Sequence, residues 1–432
     1  MNAKETKKIS WPITISWCLY DWACSSFSSI VITFIFATYF TTQVAANEII
    51  GTYQWAYATS IAGLVIAFTS PLIGAIADYG GHHKIWMLAF SLIAIFCAAL
   101  LWFAYPTIHY VYFILACVIV GTICYEIAQV FYNAFLPFIA PRRYIGRISG
   151  WGWGSGYLGG IAALTFALFF FIRNGTNLDA ETAAPIRLCG PYVALWYGLF
   201  SIPCFFWLPN IAGKTSSVAT AIRSGFKELM TTLRKLPQEK NIMGYLISHM
   251  LYADGLNTLF AFGGIFAAGT YGLSFNEILL FGISMNVTAG LGAILLGWMD
   301  DYWGAKPTVI FSLLCLTALG VPILLLHNKY IFWAFALSLC IFVGPVQSAS
   351  RTLMVKLTMS KEMTAEMFGL YALSGKITAF IGPWILGTLT MRFGSQRIGM
   401  ATILVFFILG VATLIPIQVP DAVSAWPKEG VD

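Results

Sequence analysis

Five ionisable side chains stand inside stretches that are otherwise apolar: Asp21, Glu126, Asp254, Arg351 and Lys376. Gln129 and Asn133 follow Glu126 at i+3 and i+7, so on a helix the three share one face. Ser25 and Ser28 extend the face of Asp21, Asn257 and Thr258 that of Asp254, and Gln347 precedes Arg351 by four positions. Acids and bases facing one cavity would hold a zwitterion, whose ammonium and carboxylate each need a partner of opposite sign. A buried carboxyl has its charged form disfavoured by desolvation and can therefore carry a proton. Carboxylates beside Asn and Thr oxygens could equally hold sodium. Each residue also admits a purely structural role: Asp21 as an interfacial cap, Glu126 and Asp254 as hydrogen-bonded groups between helices, Arg351 and Lys376 as neutralising partners.

Other chemistries find no residues to carry them. His82, His83, His109, His249 and His327 are scattered, with no metal-ligand spacing and no Ser/His/Asp arrangement. The glycine-rich run from Gly150 to Gly156 lacks the Lys-Ser/Thr that a phosphate loop requires; its small residues suit close helix approach. No cofactor, no metal and no enzymatic activity are expected. The nine cysteines lie almost all in apolar segments and read as small buried hydrophobes.

The elements that must position these groups follow from composition. The 432 residues are 59% hydrophobic and 10% charged, with mean hydropathy +0.79. Soluble domains carry roughly 25% charged residues, so much of this surface must face lipid. Segments of about 20 apolar residues each cross a bilayer, and a lone span in lipid must be helical to satisfy its own backbone. Twelve spans are predicted, near 13–43, 53–78, 85–105, 109–138, 148–172, 191–211, 240–270, 277–302, 306–327, 330–358, 365–391 and 397–419. The first is a retained span and no signal peptide. A charge at bilayer centre costs about 2.5–3.5 kcal/mol, which is why the five ionisable residues stand out.

Lysines and arginines set orientation. With the N-terminus in the cytoplasm, that side holds Lys4, Lys7, Lys8, Lys84, Arg142, Arg143, Arg147, Lys214, Arg223, Lys227, Arg234, Lys235, Lys240, Lys306, Lys356, Lys361 and Lys428. The outer side holds Arg173, Arg187, Lys329, Arg392 and Arg397. Both termini are therefore expected inside. The net charge of +6 reflects this asymmetry and no nucleic-acid surface.

The two halves repeat one another. Gly74, Asp78 and Gly81 after span two, followed by Lys84, recur after span eight as Gly297, Asp301 and Gly304, followed by Lys306; the first three pairs are each 223 positions apart. Gly150 and Gly369, entering spans five and eleven, share an offset of 219 with Ser155-Gly156 and Ser374-Gly375. The chain is read as a six-helix bundle over 1–211, a basic cytoplasmic linker over 212–239, and a second six-helix bundle with a short tail over 240–432, an architecture of parallel-repeat transporters.

The Gly-x-x-x-Asp-x-x-Gly-x-x-Lys loop resembles the signature of the major facilitator superfamily. Tyr20-Asp21-Trp22-Ala23-Cys24-Ser25-Ser26-Phe27 resembles the first span of the vacuole-effluxer-like family. So do Phe131 to Pro137 in span four, Tyr252 to Thr258 in span seven, Gly344 to Arg351 in span ten, and Phe368 to Tyr371 with Ser374-Gly375-Lys376 in span eleven. Cys24 and Ala253 stand where that family usually has Asn. The resemblance implies spans one, four, seven and ten around a central cavity. It implies that Asp78 and Asp301 act in conformational switching, against helix N-termini in one state. It also implies transport of small solutes, amino-acid efflux being the family's best-known activity.

These readings converge on a monomeric secondary transporter of an amino acid or similar zwitterion, working by alternating access, proton-linked, with sodium as the alternative ion, and seated in a bacterial cytoplasmic membrane. An organic acid, a sugar or polyol, or a siderophore are alternative solutes, and a transport-inactive sensor is the alternative from another class.

Overall fold

The structure is a computed structural model that describes residues 9–173, 183–211, 213–214, 218–273, 275–358 and 363–419. Lys4, Lys7, Lys8, Lys361 and Lys428 lie outside the described residues. All regular elements among them are helices, and the arrangement is that of twelve spans in two six-helix repeats.

Among the described residues ten helices are long and apolar enough to cross a membrane: Trp11–Val44, Ile49–Gly80, His83–Phe103, Ile108–Ile139, Ile145–Ile172, Ala184–Trp207, Leu280–Trp303, Ala305–Leu325, Lys329–Leu357 and Gln396–Leu414. They are spans one to six, eight to ten and twelve. Span seven is the helix Lys240–Tyr271, whose His249, Asp254 and Asn257 dilute its apolar character. Span eleven departs from the expected continuous helix. It is two helices, Thr364–Lys376 and Ile381–Phe393, joined by a turn at 377–380. Span six begins earlier than expected, at Ala184. In span one the stretches Phe27–Phe34 and Phe40–Val44 wind as wider π-helical turns. Such turns occur most often at functional sites, and here the first carries cavity-lining hydroxyls.

The two halves pack alike. Span one lies on spans five and six, as span seven lies on eleven and twelve; two and three pack on four, as eight and nine pack on ten. The two most extensive contacts between the halves are span five against span eight and span eleven against span two; span five also meets span ten, and span four meets span eleven. Glycines set these crossings: a Cβ at Gly369 would lie 2.5 Å from the Pro71 Cα, and one at Gly150 would run into the Ala293 carbonyl.

The repeated loops are built alike as well. Gly81 and Gly304 adopt φ of +73° and +97°, open to glycine at little cost. Lys84 Nζ donates to the Leu208 carbonyl past the end of span six, and Lys306 Nζ to the Ile415 and Ile417 carbonyls past the end of span twelve. Each loop lysine thus ties its loop to the last span of its own half.

Candidate functional site: a central cavity between the two halves

A cavity of about 560 Å³ lies between the halves. Spans one, four, five, seven, eight, ten and eleven line it. Asp21, Ser25, Glu126, Gln129, Asn133, Asn257, Gln347, Arg351 and Lys376 all reach it. Glu126, Gln129 and Asn133 present one face of span four, as their spacing requires.

An ion pair joins the halves inside the cavity. Lys376 Nζ, at the end of the first part of span eleven, donates to Glu126 Oε1 at 2.7 Å. Both side chains are partly open to the cavity. Nearby, Tyr157 OH of span five donates to Gln347 Oε1 of span ten.

Arg351 closes the cavity on the side nearest the chain start. It is 2% exposed. Its Nη1 donates to Asn133 Oδ1 at 3.0 Å, Nε to Ser149 Oγ at 3.0 Å and Nη2 to the Ser149 carbonyl at 2.6 Å. Its guanidinium lies over the rings of Trp17, Tyr132 and Trp153 at 4.8, 5.5 and 5.7 Å. Asp21 stands on the other side of Tyr132. Tyr132 OH donates to its Oδ2 at 3.3 Å, and Gln129 Nε2 lies 3.4 Å from its Oδ1. Cys24 adjoins this carboxylate, its Sγ 2.9 Å from Gln129 Nε2. Tyr132, Ser149 and Trp153 escaped the sequence reading, because an aromatic or a serine among apolar residues looks like packing until a cation is found beside it.

Asp254 corrects an expectation. It does not line the cavity, although Asn257 does. Asp254 is 2% exposed and faces the break in span eleven, where the Gly382 N–H donates to its Oδ2 at 3.0 Å. Its Oδ1 has no partner among the described residues. Thr258 is buried on the same side, its Oγ1 turned back to the Asp254 carbonyl at 2.7 Å. Successive helical residues turn by about 100°. Asn257 is therefore about 60° from Asp254 in one sense and Thr258 about 40° in the other, and the cavity edge falls between them.

Beyond Arg351 the bundle is shut by the repeated loops. Asp78 Oδ1 and Oδ2 accept the N–H groups of Ala365 (3.1 Å) and Glu366 (2.7 Å), in the first turn of span eleven. Asp301 Oδ1 accepts those of Gly146 (2.7 Å) and Arg147 (3.3 Å), in the first turn of span five. Each aspartate caps a helix of the opposite half, and each has a basic partner: His83 Nε2 at 2.7 Å from Asp78, Arg147 Nε at 2.5 Å from Asp301. Lys356 pairs with Asp300 at 3.2 Å on the same face. His83 was passed over in the sequence because four residues, Tyr79 to His82, separate it from Asp78; the turn brings it back. At the opposite end the cavity continues past Thr33 and Phe34 of span one, Gly263 of span seven and Phe281 of span eight. The bundle is thus closed at the end bearing the loops and open at the other.

Several known proteins share this chain's sequence or shape. The MFS-type transporter YxiO of Bacillus subtilis is 25% identical over 92% of this chain and 93% of its own. Autophagy-related protein 22-2 of Aspergillus niger is 23% identical over 87% of this chain and 76% of its own. Among solved structures, the Escherichia coli fucose:proton symporter FucP superposes with a TM-score of 0.74 at 13% identity, covering 94% of this chain and 98% of that one. The proton:xylose symporter XylE gives 0.73 at 13% identity, covering 94% of each. These two establish the fold. Residues 52–425 match the family described as vacuole effluxer Atg22 like. The chain belongs to that Atg22-like family and is a multi-pass membrane transporter of the major facilitator type.

Proposed function

We propose that this chain is a secondary active transporter of a small zwitterion, an amino acid or a close analogue, working by alternating access and coupled to protons. The observation that carries the reading is the Glu126–Lys376 pair, which joins the halves inside a solute-sized cavity. A partly hydrated ion pair contributes little to stability, about 0–1 kcal/mol when exposed. Once separated, however, it offers one anion and one cation to a single solute. An amino acid can replace each partner for the other, its ammonium on Glu126 and its carboxylate on Lys376. Binding would then bridge the halves through the solute.

Asp254 is the carboxyl proposed to carry the proton. It is shielded from the solute and meets one N–H and no cation among the described residues, surroundings in which a bare charge is costly. Its place against the break of span eleven sets it beside the segment that bears Lys376. Proton and solute would thus act on one element from two sides.

The bundles over 1–211 and 240–432 would rock about the cavity, with 212–239 joining them. With both termini cytoplasmic, the present state is outward-open. Asp78 and Asp301 then hold the cytoplasmic side shut, and their release is the switch. A bacterial cytoplasmic membrane is the proposed location.

The test is competition. In reconstituted vesicles, uptake of a labelled amino acid should be inhibited by other zwitterions. It should be spared by the matching amine without its carboxylate and by the matching acid without its amine. Equal inhibition by all three, or transport of a neutral sugar in their place, would refute the zwitterion.

A further inference from the structure

Between spans six and seven the chain folds over Val218–Lys235 into a helix with two unlike faces. The inner face, with Ala221, Gly225 and Leu229 buried, packs on span two. A Cβ at Gly225 would lie 2.7 Å from the Ile76 Cα, and the Lys214 N–H donates to the Tyr79 carbonyl at 2.8 Å. Ile76 sits about one turn before span two ends at Gly80. The helix therefore lies beside the last turn of a membrane span, level with it.

No described residue covers the outer face. Ile222, Phe226 and Leu233 are 51%, 51% and 38% exposed, at i, i+4 and i+11. Arg223, Lys227 and Arg234 form the adjoining exposed stripe. The helix's acid, Glu228, does not oppose them: it is paired with Lys214 at 3.4 Å. An apolar stripe flanked by cations, on a helix level with the end of a span, has the composition of helices that lie in the bilayer–water interface.

We propose that this face is seated in the leaflet beside span two and takes anionic phospholipid, its apolar side chains among the acyl carbons and its three cations at the phosphates. The commitment to lipid follows from depth and charge together. A soluble acidic partner would meet the cations but leave the apolar stripe at the height of the headgroups. The inference depends on the orientation proposed above only for which leaflet is involved.

The seat reaches the closed face of the transporter. Thr232, on the inner side of the same helix, stands beside the Glu366 carboxyl, and the Glu366 N–H is given to Asp78. Lipid holding the helix against span two would thereby brace the Asp78 contact that keeps this end shut. Anionic lipid should favour the state closed on this side.

The experiment uses the full chain in vesicles. Phe226 is replaced by the photoreactive p-benzoyl-L-phenylalanine in phosphatidylcholine containing phosphatidylglycerol, and adducts are read by mass spectrometry. Phospholipid adducts at position 226 are expected. In parallel, phosphatidylglycerol retained through detergent purification should fall about tenfold in the triple variant R223Q/K227Q/R234Q, since each cation near an anionic surface contributes to attraction. Adducts only to protein, no adduct at all, or unchanged phosphatidylglycerol retention in the triple variant would overturn the proposal. The cross-link leaves all three cations in place, so it decides even where the triple variant does not fold.

Discussion

Glu126 and Lys376 hold each other across the halves, and the account gives them to the solute. Hydrogen bonds to charged groups contribute about 1.5–3 kcal/mol. Glu126→Gln and Lys376→Gln should therefore each raise the KM for a zwitterion roughly ten- to a hundredfold. In a double-mutant cycle the two losses should fall short of adding, because both act on one bound molecule. Unchanged KM and unchanged solute preference in both single variants would mark the pair as structural. Asp254 is assigned otherwise. Asp254→Asn should abolish accumulation driven by a pH gradient yet preserve exchange of solute for solute, since a permanently neutral side chain can still reorient but carries no proton. An Asp254→Asn variant that accumulates solute as the wild type does would remove the assignment. Glu126→Gln should fail in both assays, which separates the roles of the two carboxyls.

At the scale of elements, the two repeated loops each place an aspartate on the first turn of a helix from the opposite half. An anion beside a helix N-terminus is favourable by about 0.3–1 kcal/mol, and up to ~2 kcal/mol where partly buried. Asp78→Asn and Asp301→Asn each remove that charge while keeping one acceptor. The closed face should lose about 1–2 kcal/mol, enough to change the ratio of states five- to thirtyfold. Turnover per bound solute should fall, with affinity less affected. Equal affinity loss at unchanged turnover would contradict a switching role. Much of this level was legible in the sequence: the 223-position offset of the loops announces elements that fold alike, and apolar runs announce the spans. The break at 377–380 has a signal in Gly382-Pro383, which the continuing apolar run masked; what was not legible is its occupant, the Asp254 carboxyl from another span. Nor was the turning away of Asp254 from the cavity, since i+3 and i+4 neighbours lie on opposite sides of it and only packing decides which side faces water. The linker helix was concealed for a like reason: its basic residues dominate the composition, and its apolar stripe shows only at helical spacing.

For the whole molecule, the two halves make matching contacts internally and meet through spans two, four and five on one side and eight, ten and eleven on the other; the proposed motion closes this seam at one end as it opens at the other. Orientation can be checked directly. Reporter fusions should place the connection between spans five and six outside and the 212–239 linker inside, and a reversed result would put the open cavity on the cytoplasmic side. The central claim, that this cavity couples a proton gradient to movement of a zwitterion, has one decisive measurement. Purified protein in sealed vesicles is given a mixture of labelled L-amino acids under a pH gradient of either sign, with a protonophore control. Accumulation of at least one amino acid above its external concentration is expected, under one sign of gradient only, collapsing when the protonophore is added. Movement that merely equilibrates and ignores the gradient, or accumulation that persists with protonophore but requires sodium, would contradict it.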